Sequence, residues 1–369
     1  MECYTKNGWD PLKAVILGYF MDPKIVNEVC DVSALKHFKP HLTKIAQETE
    51  EDFDNMQHIL ESHGVTVIRP DIDALSAYQL EKAKDIKTNF SKKEMWDGHS
   101  AWNLFDSTVR IPVPIGPRDE MFVYGDTIMY YDDHSLFVDF DQFDNKKIIR
   151  LRDHMPTSEY IDFPSVTRVN DHMVFGKNIT PKQVEFMVEH CKPKSYVHTG
   201  IRGHLDATMA PIREGLLLCT SRNPQEIYSE TFPNWKYVYV GENGFHKMLG
   251  DLDGNKELRN MDNIILRDVN ELTDNSWWID GLEKDEHKEE IAQVVNKLFP
   301  NWFGYSAETY FEVNCLTINP NLSIVLGQDK EVKEKLREYG HETISVPWRN
   351  RWFFDQGLHC ITCDLIREH

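Results

Sequence analysis

The sequence predicts an α/β fold assembled from a recurring unit of two strands, a helix and a third strand. Three observations predict it. Strand and helix signals alternate from one end of the chain to the other. Two pairs of short apolar runs are joined by Gly125-Asp126 and Asn170-Asp171, dipeptides that favour tight hairpins. No Pro/Gly/Ser-rich linker or low-complexity tract divides the sequence. A repeated supersecondary unit implies a ring or a stack, although an ordinary mixed α+β domain accounts for the same signals.

Ala14 to Gly18 is an apolar run ended by glycine and reads as a buried strand. Leu42 to His63 reads as a helix, with Val65 to Ile68 as a strand after Gly64. Met121 to Tyr124 pairs with Ile128 to Tyr131, and Val166 to Val169 with His172 to Phe175. Thr180-Pro181 then opens a helix over Lys182 to Cys191, threonine capping and proline at the first helical position. Asp206 to Met209 and Gly215 to Cys219 form a short strand pair. Residues 281 to 298 read as a charged surface helix. Phe311 to Ile318 and Leu322 to Gly327 are strands, Asp329 to Tyr339 a charged helix, and Glu342 to Val346 a last strand.

A chain of 369 residues with 41% hydrophobic content has enough apolar matter for a sizeable core. Length alone suggests two domains, but closed α/β architectures run this long as one, and residues 1–369 read as a single catalytic domain. Sixty acidic against 41 basic residues give a net charge of -19, which argues against nucleic acid and anionic membranes as partners. Seven scattered cysteines do not make a disulfide framework and suggest a reducing, cytoplasmic setting. No stretch approaches the roughly 18 uncharged apolar residues of a membrane span, so a soluble, unprocessed chain is expected.

Gly357-Leu358-His359-Cys360-Ile361-Thr362-Cys363-Asp364 carries the densest chemistry. It admits three readings. Zinc on His359, Cys360 and Cys363 needs a fourth ligand, and there is no second CxxC. A thioredoxin-like redox pair usually lies at an early strand–helix junction, not this close to the C-terminus. A single nucleophilic cysteine on a glycine-containing turn needs a histidine brought near in space. His204 is the best partner, in Gly203-His204-Leu205-Asp206-Ala207-Thr208, where period two puts His204 and Asp206 on one side of an extended segment. Among 16 histidines, one His-x-Asp alone is weak. Asp119, in Gly116-Pro117-Arg118-Asp119, either caps a turn or aims a carboxylate at a guanidinium, whose N–H pairs match carboxylate oxygens.

These elements, in this order, resemble the glycine amidinotransferase family of the pentein superfamily. The opening from Asn7 to Gly18 looks like that family's first strand. PRD at 117–119, HLDAT at 204–208, Arg349-Asn350 and HCITCD at 359–364 match its motifs, so the resemblance runs from residue 7 to about 367. It implies a five-bladed α/β propeller of ββαβ units about a pseudo-fivefold axis, with the active site at its centre. It further implies transfer of the amidino group of L-arginine to an acceptor amine such as glycine. The products are then ornithine and a guanidino compound such as guanidinoacetate. Cys360 is then the nucleophile, His204 the acid/base, Asp119 and Asp206 the guanidinium clamp, and Arg222 the partner of the substrate carboxylate. No cofactor or metal is expected. The partners are small molecules, arginine and the acceptor, and a homodimer is compatible with the reading.

The sequence departs from the family in three places. The family has an acidic residue on the first strand of the third blade that orients the histidine. An ungapped alignment to Phe175 puts Val166 there, with Asp162 and Asp171 nearby but off the aligned position. Strand alternation points either Ser165 and Thr167 or Val166 and Arg168 inward; a hydroxyl of Ser165 or Thr167 is the expected substitute, and Val166→Asp is expected to raise activity if that position faces the site. The loop Trp352 to Gln356 is bulkier than the family's glycine-rich one, which either closes the pocket or reshapes the acceptor side. Glu312 stands where the transferase has a small hydroxyl residue, either to recognise a cationic acceptor or as a solvated rim residue. Two rivals follow: a pentein hydrolase acting on arginine or another guanidine, and a catalytically weak pentein that binds a guanidino ligand or a protein.

Overall fold

A computed structural model of the chain describes residues 1–30, 39–89, 114–132, 136–144, 147–201, 203–220, 224–240, 311–327, 329–354 and 356–368. The surface helix expected at 281–298 and Arg222, the expected partner of a substrate carboxylate, lie outside them. The described residues build five three-stranded sheets, each an antiparallel pair extended by a parallel third strand. This is the pentein five-bladed α/β propeller.

Blade one holds β1 (Leu12–Leu17), helices α1 (Pro23–Cys30) and α2 (Lys39–Ser62), and β2 (Thr66–Ile68); helix α3 (Ile72–Asn89) follows. The four-residue helix α4 (Pro117–Glu120) leads into blade two, β3 (Met121–Tyr124), β4 (Thr127–Tyr130) and β5 (Lys147–Arg150). Blade three is β6 (Val166–Val169), β7 (His172–Phe175), α5 (Pro181–Cys191) and β8 (Ser195–His198). Blade four is β9 (Met209–Arg213), β10 (Leu216–Thr220), α6 (Gln225–Thr231) and β11 (Lys236–Val240). Blade five is β12 (Leu316–Asn319), β13 (Leu322–Val325), α7 (Lys330–Glu338) and β14 (Glu342–Ser345). A short helix, α8 (Arg351–Phe354), precedes β15 (Thr362–Arg367). β15 returns to blade one and pairs antiparallel with β1, Val15 opposite Asp364 and Leu17 opposite Thr362. The C-terminal strand therefore closes the ring.

Local sequence explains the elements. Thr180 caps α5 in a full capping box with Gln183, and Pro181 occupies the first turn. Asp329 caps α7 by accepting from the Val332 N–H. Two strands begin later than the sequence suggests. Residues 206–208 and 311–314 are turns, because β9 starts at Met209 and β12 at Leu316. The apolar character of both stretches comes from burial under neighbouring blades: Leu205, Val313 and Cys315 are all core residues.

The architecture fixes where a site can form. The first strands of the blades run side by side around the axis, so the residues just upstream of each meet at one end. Upstream of β3 is Asp119. Upstream of β6 is Asp162, and of β9 His204 and Asp206. Glu312 and Asn314 precede β12, and His359 and Cys360 precede β15. No described helix is long and apolar enough to cross a membrane.

Candidate active site

The Cys360 turn is held from below by Arg118, the middle residue of the PRD motif. Its Nε donates to the carbonyls of His359 and Thr362, both at 3.0 Å. Its Nη2 pairs with Asp364 on β15, which also accepts from Arg168 Nη2 at 2.7 Å and Arg367 Nε at 2.7 Å. All four side chains are buried. Burial opposes the charge on Asp364, but three guanidiniums outweigh it and hold the carboxyl well below the usual range. A buried carboxylate shared by three buried arginines thus ties α4, β6 and β15 together on the axis. From the far side, Arg349 bonds Asp52 of α2 through its Nε at 2.9 Å, and its backbone N–H reaches the same carboxylate at 2.8 Å.

Cys360 is buried. Its Sγ lies 3.4 Å from Asp206 Oδ2 and accepts from Asn314 Nδ2 at 2.9 Å. Asp206 Oδ2 also accepts from His359 Nδ1 at 2.8 Å. The second oxygen, Oδ1, is buried and has no hydrogen-bond partner among the described residues. Burial works against charge on Asp206, and the bond from His359 with the charges of His359, His204 and Arg118 outweighs it, keeping the carboxyl below its usual range. His359 is pushed the other way. Burial first, then the Arg118 charge, lowers its pKa from 6.5 to about 4 against the pull of Asp206. At neutral pH the pair is a neutral imidazole donating to a carboxylate.

The histidine depression has a consequence for stability. Between pH 6.5 and about 4 the unfolded chain takes up a proton at residue 359 that the folded chain refuses. Folding stability is therefore complete above pH 6.5 and falls on acidification, by up to about 1.4 kcal/mol per pH unit from this group. Denaturant titrations across that window are expected to show the slope, and His359→Gln is expected to flatten it.

His204 follows Gly203, whose φ of +82° is accessible to glycine at little cost and turns the chain into the site. The next two residues are bonded to the lead-in of blade three: the N–H groups of Leu205 and Asp206 reach the Pro164 carbonyl at 2.9 and 3.4 Å. That contact brings His204 Nε2 to 3.2 Å from Asp162 Oδ1. Ser165 donates its hydroxyl to Asp162 Oδ2. Burial raises the carboxyl's pKa, but the bond and charge of His204, with the Ser165 bond, hold it below the usual value. Asp162 thus contacts His204 where Ser165, Thr167 or Val166 was expected. Ser165 acts on Asp162 instead, and Asp171 pairs with Lys6 at 3.2 Å. The alignment slipped because the carboxylate sits at the N-cap of the 3-10 turn ahead of β6, not on the strand. The missing acid was the only sequence support for a catalytically weak binding protein, and Asp162 removes it.

Val166 packs in an apolar cluster with Phe122, Phe163 and Phe175. The expectation that Val166→Asp raises activity is therefore reversed. The variant would bury an unpaired carboxylate and lose stability by about 2 kcal/mol or more, read as a fall in melting temperature.

Asp119 accepts from Gln356 Nε2 at 2.7 Å, so the bulky loop ahead of the cysteine reaches into the site at this carboxylate. Gly116 allows it: a Cβ there would lie 2.3 Å from Gln356 Nε2. Glu312 is not a rim residue. It is buried, and its two oxygens accept from the backbone of Gly327 at 3.2 Å and Asp329 at 3.0 Å, so it anchors the start of α7. Cys363 lies on β15 in an apolar cluster with Cys3 and Val123, apart from the Cys360 turn. Among the described residues no group of His, Cys, Asp and Glu is arranged to hold a metal, and Cys3, Cys191, Cys219, Cys315, Cys360 and Cys363 are not in disulfides.

Sequence reasoning missed three residues of this assembly. Asn314 sits in a run that reads as strand, Arg118 was passed over for its neighbour, and Asp162 was displaced by alignment. The buried Arg168 has a signal that was available: β6 alternates, and a charged residue shares the face of the apolar Val166.

No family model and no curated protein matches the sequence. Solved structures do. The inosamine-phosphate amidinotransferase StrB1 from Streptomyces griseus matches over 100% of this chain and 97% of its own, with a TM-score of 0.57 and 15% identity. SxtG, an amidinotransferase from the Microseira wollei saxitoxin biosynthetic pathway, matches over 100% and 98%, with 0.56 and 14%. A dimethylarginine dimethylaminohydrolase matches over 96% and 100%, with 0.50 and 11%. At these identities the likeness is one of fold, and it is the pentein fold.

Proposed function

We propose that the chain is a pentein amidino-group enzyme, and specifically an arginine:amine amidinotransferase. The observation that carries the reading is the setting of Asp206. One of its oxygens lies against Cys360 Sγ and His359, the other is buried without a partner among the described residues, and His204 acts on the carboxylate electrostatically while resting on Asp162. A buried, ionised carboxylate with an open oxygen next to a thiol suits a guanidinium, which satisfies the oxygen and presents its carbon to the sulfur.

In this reading Asp206 and Asp119 fix the guanidinium plane. The Cys360 thiolate attacks the guanidino carbon and forms a C–S bond. The C–N bond to ornithine breaks, its electron pair staying on nitrogen, and His204 supplies the proton. An amidino-cysteine remains. His204, now neutral, takes a proton from the acceptor amine, whose lone pair attacks the amidino carbon as the C–S bond breaks and the thiolate returns. Asp162 keeps the imidazole oriented and stabilises its cationic form.

Asp162→Asn retains the shape and loses the charge. It is expected to lower kcat by about 10²–10⁴, with little change in melting temperature because the side chain is 35% exposed. The reading itself is tested by incubating the protein with guanidino-labelled arginine and a panel of amines, glycine among them, and identifying products by mass. A labelled guanidino product with ornithine, dependent on the amine, is expected. Citrulline or ammonia formed without any amine would assign the hydrolase reaction instead.

A further inference from the structure

We infer that Asn314 is the positioning residue of Cys360, fixing the cysteine turn through its carbonyl oxygen and favouring the thiolate through its amide N–H. The inference deepens the reading above and rests on it for the role of Cys360 as nucleophile. Asn314 is buried in the turn ahead of β12. Its Oδ1 accepts from the backbone N–H of His359 at 2.8 Å and of Cys360 at 3.0 Å. Two N–H groups can only donate, so the orientation of the amide is settled by its partners, and Nδ2 must face the sulfur. It does so at 2.9 Å. The backbone carbonyl of Asn314 accepts from the His359 N–H as well, at 3.1 Å.

The contact is built into the chain on both sides. Gly357 lies against Asn314, and a Cβ at that position would come within 2.5 Å of Asn314 Cβ and 2.6 Å of its Cγ and Oδ1. Glycine is therefore required for the close approach of the turn to this side chain, independently of any backbone strain. Two of the sulfur's polar neighbours, Asp206 and Asn314, have opposite effects. Asp206 Oδ2 accepts from the thiol and loses that bond when the proton leaves. The Asn314 N–H bond persists and strengthens as the sulfur becomes an anion. Removing Asn314 takes away an N–H that favours the thiolate and keeps Asp206, which favours the thiol.

The test is the titration of Cys360, followed as ultraviolet thiolate absorbance of the substrate-free protein minus that of its Cys360→Ser variant. Asn314→Ala and Asn314→Asp are each expected to raise the midpoint by about one to two pH units, the value of one charge-assisted hydrogen bond. Asn314→Asp keeps an acceptor for both backbone N–H groups and adds a carboxylate against the sulfur, so its rise is expected to exceed that of Asn314→Ala. Gly357→Ala, which displaces Asn314 without touching the sulfur, is expected to raise the midpoint too. The double variant Gly357→Ala/Asn314→Ala should add little to Asn314→Ala alone. An unmoved midpoint in folded Asn314→Ala or Asn314→Asp, or full additivity in the double variant, overturns the inference. If Asn314→Ala fails to fold, Gly357→Ala, which adds no charge beside the sulfur, decides alone: an unmoved midpoint there overturns the inference. The titration needs no substrate, so its failure leaves the amidinotransferase reading standing. Absence of any product from arginine would remove that reading without touching the titration.

Discussion

Cys360→Ser is expected to abolish turnover of arginine, by at least about three orders of magnitude in kcat, while the circular dichroism and melting temperature stay near those of the parent. A serine hydroxyl is far less ionised than a thiol at neutral pH, and neither the Asn314 N–H nor Asp206 changes that. The exchange is nearly isosteric in a buried turn, so the fold has little to lose. Cys363→Ser is the internal control. Cys363 packs in the apolar cluster behind β15, with its Sγ 3.5 Å from the Met121 carbonyl, and its replacement is expected to leave kcat within a few-fold. Equal loss in both variants would point to a joint role for the two sulfurs and against a single nucleophile.

The second large effect is on the fold. Asp364→Asn removes the one carboxylate shared by Arg118, Arg168 and Arg367, all fully or almost fully buried. Breaking a buried ionic cluster by deleting one partner costs about 3–5 kcal/mol, because the remaining charges stay desolvated without compensation. Here three guanidiniums lose the same partner, so the upper end of that range is expected, read as a much reduced denaturation midpoint or as insoluble protein. The position is also functional at one remove. Arg118 carries the His359 and Thr362 carbonyls, and its displacement loosens the turn that presents Cys360.

How much of this was legible in the sequence depends on the kind of residue. The repeated ββαβ unit was readable from alternating strand and helix signals, and the resemblance in four motifs supplied the closure into five blades. Cys360, His204, Asp206 and Asp119 stood in those motifs, and the fold brings the turns that bear them to one end of the axis. What failed has a common physical origin. The candidate site residues of this chain lie ahead of the first strands of the blades, and turn lengths vary more than strand registers do. Asp162 was therefore lost by an alignment anchored on a strand. His204 and Asp206 were read by strand periodicity although residues 206–208 form a turn. Buried polar groups were the other blind spot. Glu312 read as either an acceptor-binding or a rim carboxylate, and it holds two backbone N–H groups. Asn314 carried no signal at all, since a lone asparagine in an apolar run reads as a strand residue. Such groups announce themselves only through partners distant in sequence, and those partners are what the fold supplies.

The central claim is that Cys360 forms a covalent amidino intermediate. The most direct measurement is to quench the protein with acid shortly after mixing with guanidino-labelled arginine in the absence of any amine, and to map the label by peptide mass spectrometry. The account predicts label on Cys360, absent from the Cys360→Ser variant and discharged when an acceptor amine is added before the quench. Product formation without label on Cys360 at any quench time, or label carried by Cys363, would contradict it.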